Sequence, residues 1–356
     1  MKERIATLKE ELKRRRIDCL LVSDIVNIRY LSGFTGSAAQ LLVSKDGAWL
    51  FTDSRYTLQA KEETEGVKVR RYTKEAEDIA AFVKKRGFKN IGLDGRTLSY
   101  ERWMAFKKRL DGVRVRNITG IVERARARKD EGELDRIKRA IKIAERGFRR
   151  VEATGVVGRA ERDVAWAIES VVRKAGAERL SFDIIVASGE RSALPHGMPS
   201  QKKIARGEFL IVDMGVVYDG YSSDGTRTYF TGRKPDSTHL RLYTTVLDAQ
   251  RRAIEAIKAG VAAKKIDGIA RSTIRKAGYG RYFGHGTGHG VGLKVHEAPY
   301  LGPRSPDVLE EGMVVTVEPG IYVPGLGGVR IEDMVFVEKD GCTLLTMGNK
   351  ELRTIE

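Results

Sequence analysis

The segment at residues 284–297, GHGTGHGVGLKVHE, contains three of the chain's five histidines and is the densest group of reactive side chains in the sequence. Imidazole is the commonest metal ligand and proton carrier near neutral pH, so His285, His289 and His296 indicate a metal or proton-transfer site. Glycine at every second position from 284 to 292 predicts positive φ angles and close backbone contacts in an irregular loop, rather than a helix or an ordinary strand. The alternative is a glycine-rich turn whose histidines are solvated or bonded to the backbone. Carboxylates from elsewhere in the chain would decide between the two.

Two aspartates are predicted to lie side by side on one hairpin. Residues 209–230, FLIVDMGVVYDGYSSDGTRTYF, have the pattern of two strands joined by a turn at Asp219-Gly220. In that register position 215 faces 224, and 213 shares the face of 215 because side chains alternate with a period of two. Asp213 and Asp224 therefore project from one face as close neighbours. Like charges in this arrangement destabilise a sheet unless a cation lies between them.

Two glutamates are predicted to interrupt apolar strands nearer the carboxyl terminus. Residues 313–338, MVVTVEPGIYVPGLGGVRIEDMVFVE, predict two strands with a Pro/Gly-rich connection; Glu318 ends the first apolar run and Glu332 lies inside the second. Burying a carboxylate is costly unless it is neutralised. His196 follows the strand-like FDIIVAS in a Pro/Gly loop, where functional side chains are often presented. His239, near the start of a predicted helix, is expected to be a surface residue.

Four carboxylates and at least one imidazole suit two divalent cations, because two such ions offset about four negative charges. Hard oxygen ligands with a single histidine favour Mn²⁺ or Co²⁺ over Ca²⁺, with Zn²⁺ or Fe²⁺ as alternatives. Such a pair would lower the pKa of a bridging water, so that hydroxide forms at neutral pH, and would polarise a carbonyl. The residues thus predict a centre that activates water against a carbonyl group.

The elements that must carry this centre fall into two predicted domains, because 356 residues exceed the size at which one core stops growing. Residues 1–121 have the pattern of alternating helices and strands and contain no histidine, so support, gating or assembly is expected of them. A highly charged helix over about 126–150 marks the predicted boundary near residue 122. Residues 122–356 then form the domain that carries the chemistry.

Composition limits the partners of the chain. The formal charge of +17 would permit nucleic-acid binding, but the basic residues alternate with acidic ones as on solvated helix faces, and aromatic residues are not interspersed among them. We therefore expect no nucleic acid. The absence of an apolar run of about 18 residues and of a signal peptide predicts no membrane contact and a cytoplasmic location. Cys19 and Cys342 are expected to be core residues.

The order of the motifs resembles that of the metallopeptidases that include aminopeptidase P, prolidase and methionine aminopeptidase. D-x10-D is followed by GHGTGHGVGLKVHE, TVEPGIY and GVRIED, and the similarity covers residues 122–356. SGFTGSAAQLLVS and FTDSRYTLQA resemble the non-catalytic domain of aminopeptidase P and of creatinase-type members. The resemblance implies an α+β architecture, with a pita-bread catalytic domain at 122–356 preceded by a smaller α/β creatinase-type domain at 1–121, and a homodimer.

The resemblance also implies a role for each residue of the centre. The implied metal ligands are Asp213, Asp224, His289, Glu318 and Glu332, with Asp224 and Glu332 as the bridging pair. His196 and His296 would stabilise the tetrahedral intermediate or shuttle protons, and Glu318 would also assist proton transfer. His285 and Arg330 would line the substrate site.

The implied function is that of a dinuclear metal-dependent exopeptidase. It would hydrolyse the bond between an amino-terminal residue and proline through a metal-bridging hydroxide, so its partner is a peptide with proline in the second position. SGFTGSA and TDSRY favour an Xaa-Pro aminopeptidase; the alternative is an Xaa-Pro dipeptidase (prolidase) that acts only on dipeptides. Creatinase-like hydrolysis is disfavoured because creatinase lacks the metal ligands. A non-catalytic binding protein of this fold is the alternative from another class, and metal content would distinguish it.

Overall fold

The computed structural model describes residues 1–348 and 350–356. Its contacts divide the chain into two compact units, Met1–Arg126 and Ala127–Glu356. The domain boundary near residue 122 stays a prediction. Within the described residues, no helix is both long and apolar enough to span a membrane.

The first unit contains a six-stranded mixed sheet with helices. Its strands are β1 (Cys19–Val22), β2 (Ala39–Ser44), β3 (Gly47–Thr52), β4 (Lys68–Arg71), β5 (Asn90–Leu93) and β6 (Arg114–Asn117). Its helices are α1 (Lys2–Arg14), α2 (Ile25–Ser32), α3 (Thr57–Glu63), α4 (Glu75–Lys85), α5 (Tyr100–Arg109) and α6 (Ile121–Ala127), the last of which runs to the division. The strand order is β4-β3-β2-β1-β5-β6. The predicted alternation of helices and strands is confirmed.

The second unit contains four α-helices, two short 3-10 helices and fourteen strands among the described residues. The helices are α7 (Glu131–Ala153), α8 (Glu161–Lys174), α9 (Ser237–Glu255) and α10 (Ala263–Lys276). The strands before α9 are β7 (Arg179–Leu180), β8 (Ile185–Ser188), β9 (Phe209–Asp213), β10 (Val216–Tyr218), β11 (Tyr221–Ser222) and β12 (Thr226–Thr231). Those after α10 are β13 (Gly288–Gly290), β14 (Glu297–Leu301), β15 (Val314–Val317), β16 (Gly320–Val323), β17 (Gly327–Arg330), β18 (Asp333–Val337), β19 (Cys342–Leu344) and β20 (Thr354–Ile355).

Two helix pairs cover the sheets of this unit and form its two cores. Helices α7 and α8 bury an apolar stripe, which includes Ala144 and Ile168, against the sheet β20-β12-β9-β8 and strand β10. Helices α9 and α10 bury residues such as Val246 and Ile266 against the sheet β14-β13-β15-β18-β19 and the hairpin β16-β17. These two cores hold the strands on which the predicted site residues lie.

The structure confirms the predicted aspartate hairpin. Asp219 and Gly220 have φ angles of 45° and 78° and form its turn. Tyr218 pairs with Tyr221, and in the same register Asp213 pairs with Thr226. Asp213 therefore ends β9 opposite the strand that Asp224 precedes.

The region 313–338 differs from its prediction, because it forms four strands instead of two. Glu318 follows β15, and Glu332 lies between β17 and β18, so neither carboxylate is inside a strand. Pro319 has no N–H to donate to the ladder, and the chain leaves the sheet there to form the hairpin β16-β17. Both glutamates are therefore released from the regular strand geometry.

The glycines at 284–292 do not have the predicted positive φ angles. Residues 288–290 form strand β13, which pairs with β14 and β15 and is bulged between His289 and Gly290, so the prediction of an irregular loop is wrong there. The expected close backbone contacts are confirmed. A Cβ at Gly288 would lie 2.0 Å from the carbonyl oxygen of Thr316, and one at Gly290 would lie 2.3 Å from that of Ala298.

We expect Gly288→Ala to lower the free energy of unfolding by about 1–3 kcal/mol, because the added methyl group must push β13 away from a backbone carbonyl. The matched control is Gly284→Ala, since a Cβ at that position has nothing within 4 Å. The control should change the stability by less than about 0.5 kcal/mol. Urea denaturation of both variants measures the difference, and equal stability would contradict the close-packing explanation.

Candidate metal centre

The predicted site residues are distant in sequence and gather around one pocket of about 510 Å³. The lining includes all nine of them: His196, Asp213, Asp224, His285, His289, His296, Glu318, Arg330 and Glu332. Each candidate carboxylate lies where a strand ends or begins, at β9, β12, β15 or β18. Strand ends free these side chains from strict alternation, and the bulge in β13 does the same for His289.

The candidate ligands form overlapping groups, in each of which one ligand atom per residue lies within 4.8 Å of the others. Three such groups are present: Asp213, Asp224 and Glu332; His289, Glu318 and Glu332; and Asp224, His289 and His296. The Nε2 atom of His289 lies 3.3 Å from Glu318 and 3.6 Å from Asp224. Asp224, His289 and Glu332 each belong to two groups, so the three groups form one continuous cluster.

The carboxylates are buried without enough positive charge. Burial, followed by the neighbouring carboxylates, raises the pKa of Asp224 and that of Glu332 well above their ordinary values. Burial also raises the pKa of Asp213, although Arg330 opposes the shift. Asp213 Oδ1 and Glu332 Oε1 are buried and have no hydrogen-bond partner among the described residues. Buried carboxylate oxygens without a hydrogen-bond partner, grouped in this way, fit divalent cations.

His289 is oriented to present one nitrogen to this cluster. Its Nδ1 lies 3.1 Å from the carbonyl of Gly290 and must donate to it, which leaves Nε2 toward the carboxylates. Burial opposes protonation of His289, but Glu318 and Asp224 outweigh it and raise the pKa to about 9. Burial likewise opposes ionisation of Glu318, yet His289 lowers its pKa to about 2. A bound metal ion would replace the imidazole proton as the partner of Glu318.

Arg330 organises the other side of the cluster. Its guanidinium donates to Asp213 Oδ2 at 2.6 Å, to the Tyr322 hydroxyl at 2.8 Å and to the carbonyl of Pro195 at 3.0 Å. Thr226 donates to Glu332 Oε2 at 2.8 Å. Arg330 therefore lies on the pocket wall, as the resemblance implies, with its donors committed to the protein. Sequence reasoning missed Tyr322 and Thr226, although both lie within four residues of a candidate ligand.

His285 has both ring nitrogens engaged. Nδ1 donates to the carbonyl of Gly286 at 2.7 Å, and Nε2 accepts from the Tyr322 hydroxyl at 2.8 Å. Burial raises the pKa of Tyr322 to about 12, so its phenol is protonated and can donate. Burial lowers the pKa of His285, which favours the neutral ring. His285 therefore shapes the pocket wall with a fixed tautomer.

The loop that carries His285 is fastened to α10 by an ion pair that the sequence did not suggest. Arg271 donates to the carbonyls of Phe283 at 2.9 Å and His285 at 2.7 Å. The same guanidinium pairs with the buried Asp267, which also accepts a hydrogen bond from Thr287 at 2.9 Å. The spacing Asp267-x3-Arg271 on a helix face was the available signal.

His196 and His296 differ from the other two pocket histidines because both are exposed. Within residues 1–348 and 350–356, the structure shows no hydrogen-bond partner for either imidazole. The ring of His296 packs edge-on against His289, with 4.3 Å between centroids. His239 lies outside the pocket, half-buried against Phe209 and Phe230.

Comparison with known proteins supplies two family matches and several close relatives. The model of the creatinase/prolidase N-terminal domain matches residues 4–128, and that of metallopeptidase family M24 matches residues 135–339. The Xaa-Pro dipeptidase of Pyrococcus furiosus is 39% identical over 353 residues, 99% of this chain and 100% of that protein. The structure of the Xaa-Pro dipeptidase from Bacillus anthracis has a TM-score of 0.96 and 41% identity, over 99% of both chains. The X-Pro aminopeptidase from Thermotoga maritima has a TM-score of 0.88 and 39% identity, over 95% of this chain and 98% of that one.

We expect Asp224→Asn to remove at least one of two bound divalent ions, because the amide cannot offset cationic charge as the carboxylate does. The matched control is Asp219→Asn on the same hairpin, since Asp219 is exposed and Asn tolerates its positive φ angle. Elemental analysis after loading with Mn²⁺ or Co²⁺ measures the ions per chain. Equal metal content in both variants would remove Asp224 from the ligand set.

Proposed function

The chain belongs to metallopeptidase family M24, and from that premise we propose that it is an Xaa-Pro dipeptidase, which splits dipeptides whose second residue is proline. The predicted enzyme class and fold are confirmed by the matches: a creatinase-type amino-terminal domain precedes a pita-bread M24 catalytic domain. A full-length relative and a structural neighbour are both named Xaa-Pro dipeptidase, which supports the proposal.

These names support the dipeptidase better than the aminopeptidase P activity that SGFTGSA and TDSRY favoured. Those two stretches occupy residues 32–38 and 52–56, in the amino-terminal unit, and none of their residues lines the pocket. The similarity to the X-Pro aminopeptidase from Thermotoga maritima keeps that activity as the second candidate.

The observation that carries the proposal is the pair of buried, unpartnered carboxylate oxygens on Asp213 and Glu332. The residues that would hold two divalent ions there are Asp213, Asp224, His289, Glu318 and Glu332. Mn²⁺ or Co²⁺ is expected, with Zn²⁺ or Fe²⁺ as alternatives. When bound, the ions would supply an activated water and polarise the substrate carbonyl.

The protein side chains would complete the reaction. An Xaa-Pro bond is a tertiary amide without an N–H, so a site that acts through the carbonyl alone suits it. His196 and His296 have uncommitted ring nitrogens at the pocket and can hold the oxyanion or move a proton. Glu318 is ionised beside His289 and can take the proton of the attacking water and return it to the leaving nitrogen. A homodimer and a cytoplasmic location stay predictions.

The length of the substrate tests the proposal. We expect hydrolysis of an Xaa-Pro dipeptide in the presence of Mn²⁺ or Co²⁺, without hydrolysis of the corresponding Xaa-Pro-Xaa tripeptide. An Xaa-Ala dipeptide is the control for the proline requirement. Cleavage of the tripeptide would replace the proposal with aminopeptidase P activity, and failure on every Xaa-Pro substrate would refute both.

We expect His296→Ala to lower kcat by about a hundred-fold or more and to leave the metal content unchanged, because an exposed imidazole is lost from the pocket. His239→Gln is the control, since that ring lies outside the pocket. Steady-state kinetics and elemental analysis measure the two effects. An unchanged kcat would remove His296 from the reaction.

A further inference from the structure

We propose that Glu161, at the first turn of α8 and outside the pocket lining, is a positioning residue for His196. The inference rests on the proposed function in that it assigns His196 to the peptidase reaction. It concerns a residue that is not one of the candidate metal ligands. It predicts that kcat depends on this buried carboxylate.

Glu161 is completely buried and collects an unusual number of donors. Its Oε1 accepts from the backbone N–H of Ser188 at 2.8 Å and from the Ser188 hydroxyl at 2.9 Å. Its Oε2 accepts from Arg191 at 3.0 Å, from the N–H of Ser200 at 3.0 Å and from the Ser200 hydroxyl at 2.7 Å. Hydrogen bonds to an ionised carboxylate are about twice as strong as neutral ones.

These donors are the two ends of the loop that carries His196. Ser188 ends β8, and Ser200 closes the loop, so one carboxylate joins both ends. Pro195, His196 and Met198 contribute the loop's part of the pocket lining. Because the described residues offer the imidazole of His196 no hydrogen bond, the position of the ring depends on the position of the loop.

Other contacts hold the first half of the loop more firmly than the second. Ser192 accepts from the N–H of Gly328 at 2.7 Å, and Arg330 donates to the carbonyl of Pro195 at 3.0 Å. After Pro195, Arg191 donates to the carbonyl of Met198 at 2.5 Å, and Arg191 is itself held by Glu161. The N–H of Arg162 also donates to the carbonyl of Ser200 at 3.1 Å. His196 lies in a turn closed by the N–H of Gly197, which donates to the carbonyl of Leu194 at 3.0 Å. Arg330 holds the chain just before His196, and Glu161 holds the chain just after it.

The hydrogen bonds that join both ends of the loop to Glu161 require a carboxylate, because every partner of Glu161 donates to it. A glutamine would turn an NH₂ group toward some of these donors and leave them unpaired in a buried site. The decisive variant is thus Glu161→Gln, which preserves size. Its matched control is Glu169→Gln on the same helix, since Glu169 is half-buried and, among the described residues, forms its ion pair with Arg173 at the surface.

We expect Glu161→Gln to lower kcat by about ten-fold or more, with a small change in KM and an unchanged metal content. A misplaced imidazole would stabilise the transition state less well and would affect substrate binding little. Glu169→Gln should retain the kcat of the unmodified protein. In a His196→Ala background, Glu161→Gln should have no further effect on kcat. A kcat within two-fold of that of the control, or a full additional loss in the His196→Ala background, would overturn the proposal.

Two measurements on the metal-free protein separate this inference from the proposed function. With five histidines in the chain, ring resonances in a ¹⁵N-histidine spectrum can be assigned by substitution, and that of His196 should shift in Glu161→Gln but not in Glu169→Gln. Trypsin should also cleave after Arg191 faster in Glu161→Gln.

Unchanged resonance and cleavage would refute the positioning role even if the enzyme is a dipeptidase. A shift without any Xaa-Pro hydrolysis by the unmodified protein would refute the proposed function alone. If Glu161→Gln does not fold, Ser200→Ala should give smaller changes in the same direction.

Discussion

The repulsion among four carboxylates in one buried site is the constraint on which the rest of the catalytic unit depends. In the absence of metal ions, two features of the protein reduce this repulsion. The raised pKa values of Asp224 and Glu332 favour their protonated forms, while Arg330 and a protonated His289 supply positive charge. Divalent ions would replace those protons, so metal binding at this site is coupled to proton release. The fold therefore assembles the site, and the proposed metal ions would complete it.

Convergence of the ligands explains the irregularity of the strands around them. A regular strand directs alternate side chains to opposite faces and cannot bring residues from four strands to one point. The chain escapes this rule where Pro319 ends the ladder after β15 and where β13 is bulged at His289. Gly288 and Gly290 let β13 approach β14 and β15 so closely that an added Cβ would clash with backbone carbonyl oxygens. Glycine is needed there for proximity, and its freedom in φ is not used.

What could be predicted from the sequence was local. The turn at Asp219-Gly220 and a period of two were enough to place Asp213 near Asp224. The motif order indicated the family and the pocket residues. The number of strands after Glu318 was missed because a proline break and a short glycine hairpin resemble a connection. The anchors of the pocket were missed because Arg271, Tyr322 and Glu161 act through contacts that only the folded chain creates. Whether the pocket has room beyond the proline of the proposed substrate likewise depends on the fold, and the sequence could not predict it.

The four pocket histidines divide into two kinds, and the division follows from their hydrogen bonds. His285 and His289 have both ring nitrogens directed at protein groups, so they can shape the pocket or hold a metal ion. Of these four, His196 and His296 have ring nitrogens without a hydrogen-bond partner among residues 1–348 and 350–356, as the proposed proton transfer to a substrate would need. Because hydrogen bonds do not fix these two rings, their positions depend largely on the backbone that carries them. The residue after His296, Glu297, is fixed by a buried ion pair with Lys129 at 2.9 Å, and the loop of His196 is fixed by Glu161. The proposed proton-transfer side chains, His196 and His296, therefore depend on two buried carboxylates, those of Glu161 and Glu297, which hold the neighbouring backbone.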